Sequence, residues 1–213
     1  IFLSDFHWGE VVDKESVNGI NEYDRDIALK RFKNVIETTI DLCTNHMVNP
    51  KYPGIVVPLG GDMISGDIHD ELAENNDGTN IEHVLDLLDH LTWGLEKFAD
   101  VFGNVFVPCT FGNHSRLYKQ YRHKQAAKTN FDWMLYNLLA RHFKNDKRIQ
   151  FQIPTGFDTV YKIYGVSYLL THGDRLGVAG GSGIVVIRYP SAAIGVSVTP
   201  CTNTITTAPN GDY

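Results

Sequence analysis

Four short apolar runs in this chain each lead into a polar turn rich in metal-ligating groups, and that repetition constrains the fold more than any other feature. Ile1-Phe2-Leu3 precedes Asp5 and His7. Ile55-Val56-Val57-Pro58-Leu59 enters Gly60-Gly61-Asp62, Val105-Phe106-Val107 leads toward Gly112-Asn113-His114, and Tyr168-Leu169-Leu170 leads to His172. Such runs, bounded by turn residues, read as short buried strands. Between them, Ala28, Phe32, Val35, Ile36, Thr39 and Cys43 recur at helical spacing over residues 24–47, with Asp24 and Asp26 suited to the first turn. Val84, Leu88, Leu91, Leu95, Phe98 and Phe102 mark a second helix, and residues 131–143 a third. Residues 149–153 and 160–164 read as an antiparallel pair. Helices alternating with short strands predict a layered α/β architecture rather than a bundle or a pure sandwich.

Open α/β sheets gather their sites where the carboxyl ends of strands converge. Taken singly, an Asp or Asn in a turn, or a hydrogen-bonded histidine, needs no function to explain it. Four such groups following four strands point to one site. Asp5 and His7, two apart on an extended segment, would project from the same face and reach one ion. Carboxylate, amide and imidazole donors without thiolate suit Mn²⁺, Fe or Zn²⁺ better than a Ca²⁺ cage or an iron–sulfur cluster. A carboxylate such as Asp62 can bridge two cations, a centre suited to phosphate ester hydrolysis by a metal-bound hydroxide.

These residues resemble the calcineurin-like metallophosphoesterase superfamily, whose motifs run Asp-x-His, Gly-Asp, Gly-Asn-His, a later His and finally Gly-His-x-His. Ser4-Asp5-Phe6-His7-Trp8-Gly9-Glu10 and Thr171-His172-Gly173-Asp174 are most similar to phage and prophage members. The resemblance spans residues 1–177 and implies a layered α/β/β/α sandwich. It also implies that Asp5 and His7 hold the first of two divalent ions, Mn²⁺ foremost, with Asp62 bridging and Asn113 and His172 holding the second. His114 would orient the phosphate and protonate the leaving oxygen. Asn113 would contact substrate as well, and Arg116, following Gly112-Asn113-His114-Ser115, suits bidentate phosphate binding. The substrate is expected to be a phosphate mono- or diester, with nucleic acid one of the candidates.

No Gly-His-x-His follows His172, so each ion lacks one imidazole of the family pattern. Residues 179–213 carry only Arg188 and Asp212 as charges, and Gly180-Gly181-Ser182-Gly183 with the apolar run after it resembles a glycine-rich phage tail-fibre segment. The expected organisation is a phosphoesterase core over 1–178, clipped at its N-terminus and incomplete at its C-terminal side, and a foreign tail over 179–213. A catalytically defective chimera and a virion structural or adhesion protein remain as alternatives. Cys43, Cys109 and Cys201 suggest neither disulfides nor a thiolate site, and with no signal peptide or membrane span the expectation is a soluble, cytoplasmic protein. The formal charge of −6 argues against an extended nucleic-acid footprint. The basic residues from Arg116 to Lys128, interleaved with Tyr118 and Tyr121, read first as a solvated helix face and second as a path for a nucleic-acid backbone. His69, His83, His90, His123 and His142 read as surface or packing residues.

Overall fold

A computed structural model describes residues 1–48, 51–175 and 185–189. Asp24 accepts a hydrogen bond from the Ile27 amide at 2.7 Å and so opens α1 (Arg25–Asn45), which buries Ala28, Phe32 and Ile36 at four-residue spacing. The strand β1 (Ile55–Val56) and the short helix α2 (Asp70–Asn75) follow. Thr79 and Glu82 then satisfy each other's backbone N–H groups in a capping box at the head of α3 (Asn80–Phe102). Its apolar stripe, including Leu87, Leu91, Leu95 and Phe98, is buried.

The strands β1, β2 (Val105–Pro108) and β3 (Ile149–Gln152) form a parallel sheet, with Ile55 opposite Val105 and Val105 opposite Ile149. Parallel neighbours need long crossovers, and these are supplied by α3 and by α4 (Phe131–His142). Isolated parallel bridges extend the pairing, Leu3 beside Leu59 and Leu59 beside Cys109. One core joins these layers, with Trp8, Phe32, Leu59, Phe98, Val107, Leu135 and Tyr136 almost wholly buried. A second, antiparallel sheet orders β4 (Thr159–Ile163), β5 (Val166–Thr171) and β6 (Val185–Tyr189). The Gln152 amide donates to the Val160 carbonyl at 2.8 Å, and Thr159 Oγ1 to the Cys109 carbonyl at 2.5 Å, tying the two sheets together. The chain is thus mixed α/β, as its alternating pattern predicts.

Two local expectations are corrected. Residues 149–153 do not pair with 160–164; β3 takes the free edge of β2, and β4 pairs with β5 instead. Turn chemistry explains the choice. Tyr164 and Gly165 adopt φ of 50° and 80°, the left-handed geometry of a two-residue hairpin turn, whereas Pro154, which has no N–H to donate, follows β3. The basic run is no helix face either. From Leu117 to Ala126 the backbone is irregular, and a 3₁₀ turn follows at Ala127–Thr129. The Arg116 guanidinium donates to the carbonyls of Tyr118 and Lys119, each at 3.0 Å, curling the segment back on itself. The expected boundary near residue 178 and the tail beyond it lie outside the described residues, apart from the backbone of β6. No helix among the described residues is long and apolar enough to cross a membrane.

Candidate metal centre

Two backbone turns lie against each other at the heart of the site. A Cβ on Gly61 would stand 2.3 Å from the Gly112 amide nitrogen, and one on Gly112 would stand 2.0 Å from Asp62 Oδ1, so both positions require glycine. The N-terminal segment is zipped onto the first turn through Asp5 N–H to Gly61 O at 3.0 Å, His7 N–H to Asp62 O at 3.1 Å and Trp8 N–H to Met63 O at 3.0 Å. Asp5, His7 and Asp62 all hold left-handed backbone, with φ of 52°, 45° and 50°. Non-glycine residues avoid that region, and three together in one site mark strain that the surrounding hydrogen bonds must hold.

The side chains converge in two groups that share Asp62. One comprises His7, Asp62 and His114; the other, Asp5, Asp62 and His172; within each, the potential ligand atoms all lie within 4.8 Å of one another. This differs from an Asp5–His7 pairing on one ion. The same-face argument presupposes an extended segment, and the left-handed turns at both residues send them to different groups. Asn113 joins the second group, with Oδ1 3.2 Å from His172 Nε2. Arg116 stands apart at the rim, its guanidinium engaged with loop carbonyls.

Two of the three imidazoles are oriented by backbone carbonyls. His172 Nδ1 lies 2.9 Å from Gly60 O and His114 Nδ1 lies 3.2 Å from Ser65 O, which leaves Nε2 of each ring for the site. His114 N–H donates to Asp62 Oδ1 at 2.8 Å. Asp62 Oδ2, 2.9 Å from His172 Nε2, makes a close ionic approach without an aligned hydrogen bond. Burial depresses the His172 imidazole, but the adjacent Asp62 carboxylate outweighs it and lifts the pKa to about 9. Burial likewise works to raise Asp62, and His172 overcomes it, so this carboxyl sits below its ordinary range. His7 is lowered by burial against the pull of Asp62, which favours the neutral, ligating ring.

Asp5 Oδ1, His7 Nδ1 and Asp62 Oδ2 are buried and make no hydrogen bond to the described residues. Buried polar atoms without a hydrogen bond are rare and costly; of these three, Asp62 Oδ2 has a close ionic partner in His172, and His7 Nδ1 a more distant one in Glu10 at 3.7 Å. Their chemistry, with two more imidazoles and an amide oxygen, fits a pair of divalent cations. The first group supplies three side chains and the second, with Asn113, four.

One residue that organises the site escaped the sequence reading. Asp132, wholly buried in the first turn of α4, accepts from the amides of Asp62 at 2.9 Å, Met63 at 3.2 Å and Gly112 at 3.0 Å, and from Ser115 Oγ. It clamps the Gly61-Asp62 turn to the Gly112-Asn113-His114 turn. Burial, reinforced by the Asp62 charge, pushes its pKa up to about 6. Asn130 caps the same helix and ties it to the second turn, accepting from the Asp132 amide at 2.8 Å and donating to Gly112 O at 2.9 Å. In sequence, an acid just after an Asn cap is what any helix N-terminus favours, so nothing marked this one.

Comparison with family models, with curated proteins and with solved structures finds no match.

Proposed function

We propose that this chain carries the core of a metallophosphoesterase of calcineurin-like type, a hydrolase of phosphate mono- or diesters with a dinuclear centre. The observation that carries the reading is the pair of side-chain groups sharing Asp62, with a buried donor atom that makes no hydrogen bond on each of Asp5, His7 and Asp62. Two divalent cations, Mn²⁺ foremost, would supply Lewis acidity to the phosphoryl oxygens and to the attacking water. Asp5, His7, Asp62, Asn113 and His172 would hold the two ions. Gly60 O and Ser65 O fix the rings of His172 and His114 so that Nε2 of each faces inward. His114 delivers a proton from Nε2 to the leaving oxygen, and its Asp62-bound backbone amide keeps the ring at that place. Asn113, half-buried between His172 and the rim, orients the phosphate.

Purified protein assayed with an aryl phosphodiester is expected to show Mn²⁺-dependent release of the phenolate, and Asp62→Asn to remove it. Hydrolysis indifferent to metal, or unchanged in Asp62→Asn, overturns the reading.

A further inference from the structure

A cavity of about 270 Å³, lined by Asp5, His7, Glu10, Tyr23, Arg31 and Phe32 among others, reaches one member of each side-chain group of the candidate metal centre. Tyr23 ties its wall to the turn bearing Asp5 and His7. The Tyr23 N–H donates to Val12 O at 3.1 Å and the Val12 N–H to Tyr23 O at 2.8 Å, while the Tyr23 hydroxyl donates to the carbonyl of Phe6, between the two ligand residues. On α1, Phe32 is buried and its neighbour Arg31 is exposed, with the guanidinium 5.4 Å over the Tyr23 ring. Arg25, earlier on the same helix, is paired with Asp77 and Asp86. Arg31 makes no ion pair among the described residues, and among them it is the one Lys or Arg in the lining. The inner end is acidic by contrast, with Asp5 and with Glu10 Oε2 3.7 Å from His7 Nδ1.

We propose that this cavity takes the arm of the substrate next to the scissile phosphate and that Arg31 binds a second phosphate on that arm, so that the preferred substrate is a phosphate ester with another phosphate close by. The inference rests on the phosphoesterase reading and names its substrate class. Cations at the centre would offset the carboxylates of the inner end, and Arg31 is left for an anion that the substrate brings. A guanidinium presents a planar fork of N–H donors that matches phosphate bidentately, and lying over a ring uses none of those donors. Drug-sized ligands occupy about 300 Å³ or more, so the room suits one short linker and its phosphate rather than a larger arm. Anchored at both ends, such a substrate is held in one register against the ligand turn. The second phosphate can belong to a small bisphosphorylated molecule or to the next unit of a nucleic-acid strand, and its chemistry is the same in both.

The test is isothermal titration calorimetry of the full chain in Ca²⁺ with inorganic phosphate, 1,3-propanediol bisphosphate and oligothymidylates of increasing length, alongside Mn²⁺-dependent hydrolysis of methyl 4-nitrophenyl phosphate. The bisphosphate is expected to bind about tenfold or more tightly than inorganic phosphate. Arg31→Gln is expected to remove that advantage, and Arg31→Lys, which keeps the charge, to retain most of it. Equal affinity of the wild type for the two probes, or an advantage undiminished in Arg31→Gln, overturns the proposal, as does no binding by the wild type. If the advantage depends on Arg31 while no diester is hydrolysed, the anion subsite stands and the hydrolase reading falls; hydrolysis without such an advantage gives the reverse. Affinity that rises with oligomer length identifies a nucleic-acid strand as the source of the second phosphate, and a bisphosphate that matches the oligomers identifies a small molecule.

Discussion

The two sheets bring their residues to the candidate site by different means. From the parallel sheet, the turns bearing Asp62 and His114 are locked backbone to backbone, glycine against glycine, with Asp132 bracing both from beneath. The antiparallel sheet contributes His172 from the end of β5, held by Gly60 O and by the charge of Asp62. One half is positioned by a buried hydrogen-bond frame centred on Asp132. The other rests on the ion pair between His172 and Asp62, which the metals of the proposed centre would replace. The difference predicts unequal responses to mutation and to pH.

The largest effect tests the role of His114 within the framed half. In its proposed role of proton donor it would matter most when the leaving group is basic. His114→Gln is expected to slow hydrolysis of an alkyl phosphodiester by about 10²–10⁴-fold and that of a 4-nitrophenyl ester far less, with metal content per chain unchanged. Because its ring also lies in the His7–Asp62 group, loss of one metal in His114→Gln would instead make it a ligand.

Asp132 probes the frame itself. Asp132→Asn keeps the volume but turns an amide NH₂ toward a cluster of donors. At least one buried N–H then loses its acceptor, at about 1–3 kcal/mol by urea unfolding. Displacement of the turns should weaken metal binding about 10–100-fold by titration calorimetry. Wild-type affinity in Asp132→Asn would show that the turns hold their geometry unaided.

The frame was only partly legible in the sequence. Asp24, the stripe from Val84 to Phe102 and the glycine turns after each apolar run are local signals, and local signals fix helices and turn chemistry. Strand partners are not local. Nothing within Ile149-Gln150-Phe151-Gln152 says that it seeks the β2 edge, although Tyr164-Gly165 did encode the competing hairpin. Asp132 was hidden because its function depends on two turns 70 and 20 residues away. The division of Asp5 and His7 between groups was hidden for a different reason, since left-handed backbone at non-glycine residues has no composition signal.

The antiparallel half is tested by pH in chelated protein. His172 has its pKa raised to about 9, above the ordinary imidazole value. Its contribution to stability is therefore complete below about pH 6.5 and is lost as pH rises through 9. Asp62 is lowered, so its contribution is present above the ordinary carboxylate range and fades in acid. Urea melts of the wild type should thus show stability declining from neutral pH toward about pH 9, while His172→Gln shows no such slope from this pair. Parallel pH profiles would remove the ion pair as the support of this half.

The smallest effect belongs to a position outside both halves. Thr79 caps α3, more than a turn of helix before the buried stripe that carries the sheet, and accepts from the Glu82 amide at 3.3 Å while Glu82 accepts from the Thr79 amide at 2.8 Å. Thr79→Ala should cost about 1 kcal/mol of stability and leave metal affinity as it is. The reason is geometric. The proposed ligands hang from turns fixed by one another and by Asp132, so loosening the first turn of α3 lowers the stability of the whole without moving the site. A matched loss of metal affinity in Thr79→Ala would place α3 within the frame, and the contrast between a braced and an unbraced half would then have to be redrawn around Trp8, whose indole donates to Asp86 of α3 at 2.8 Å.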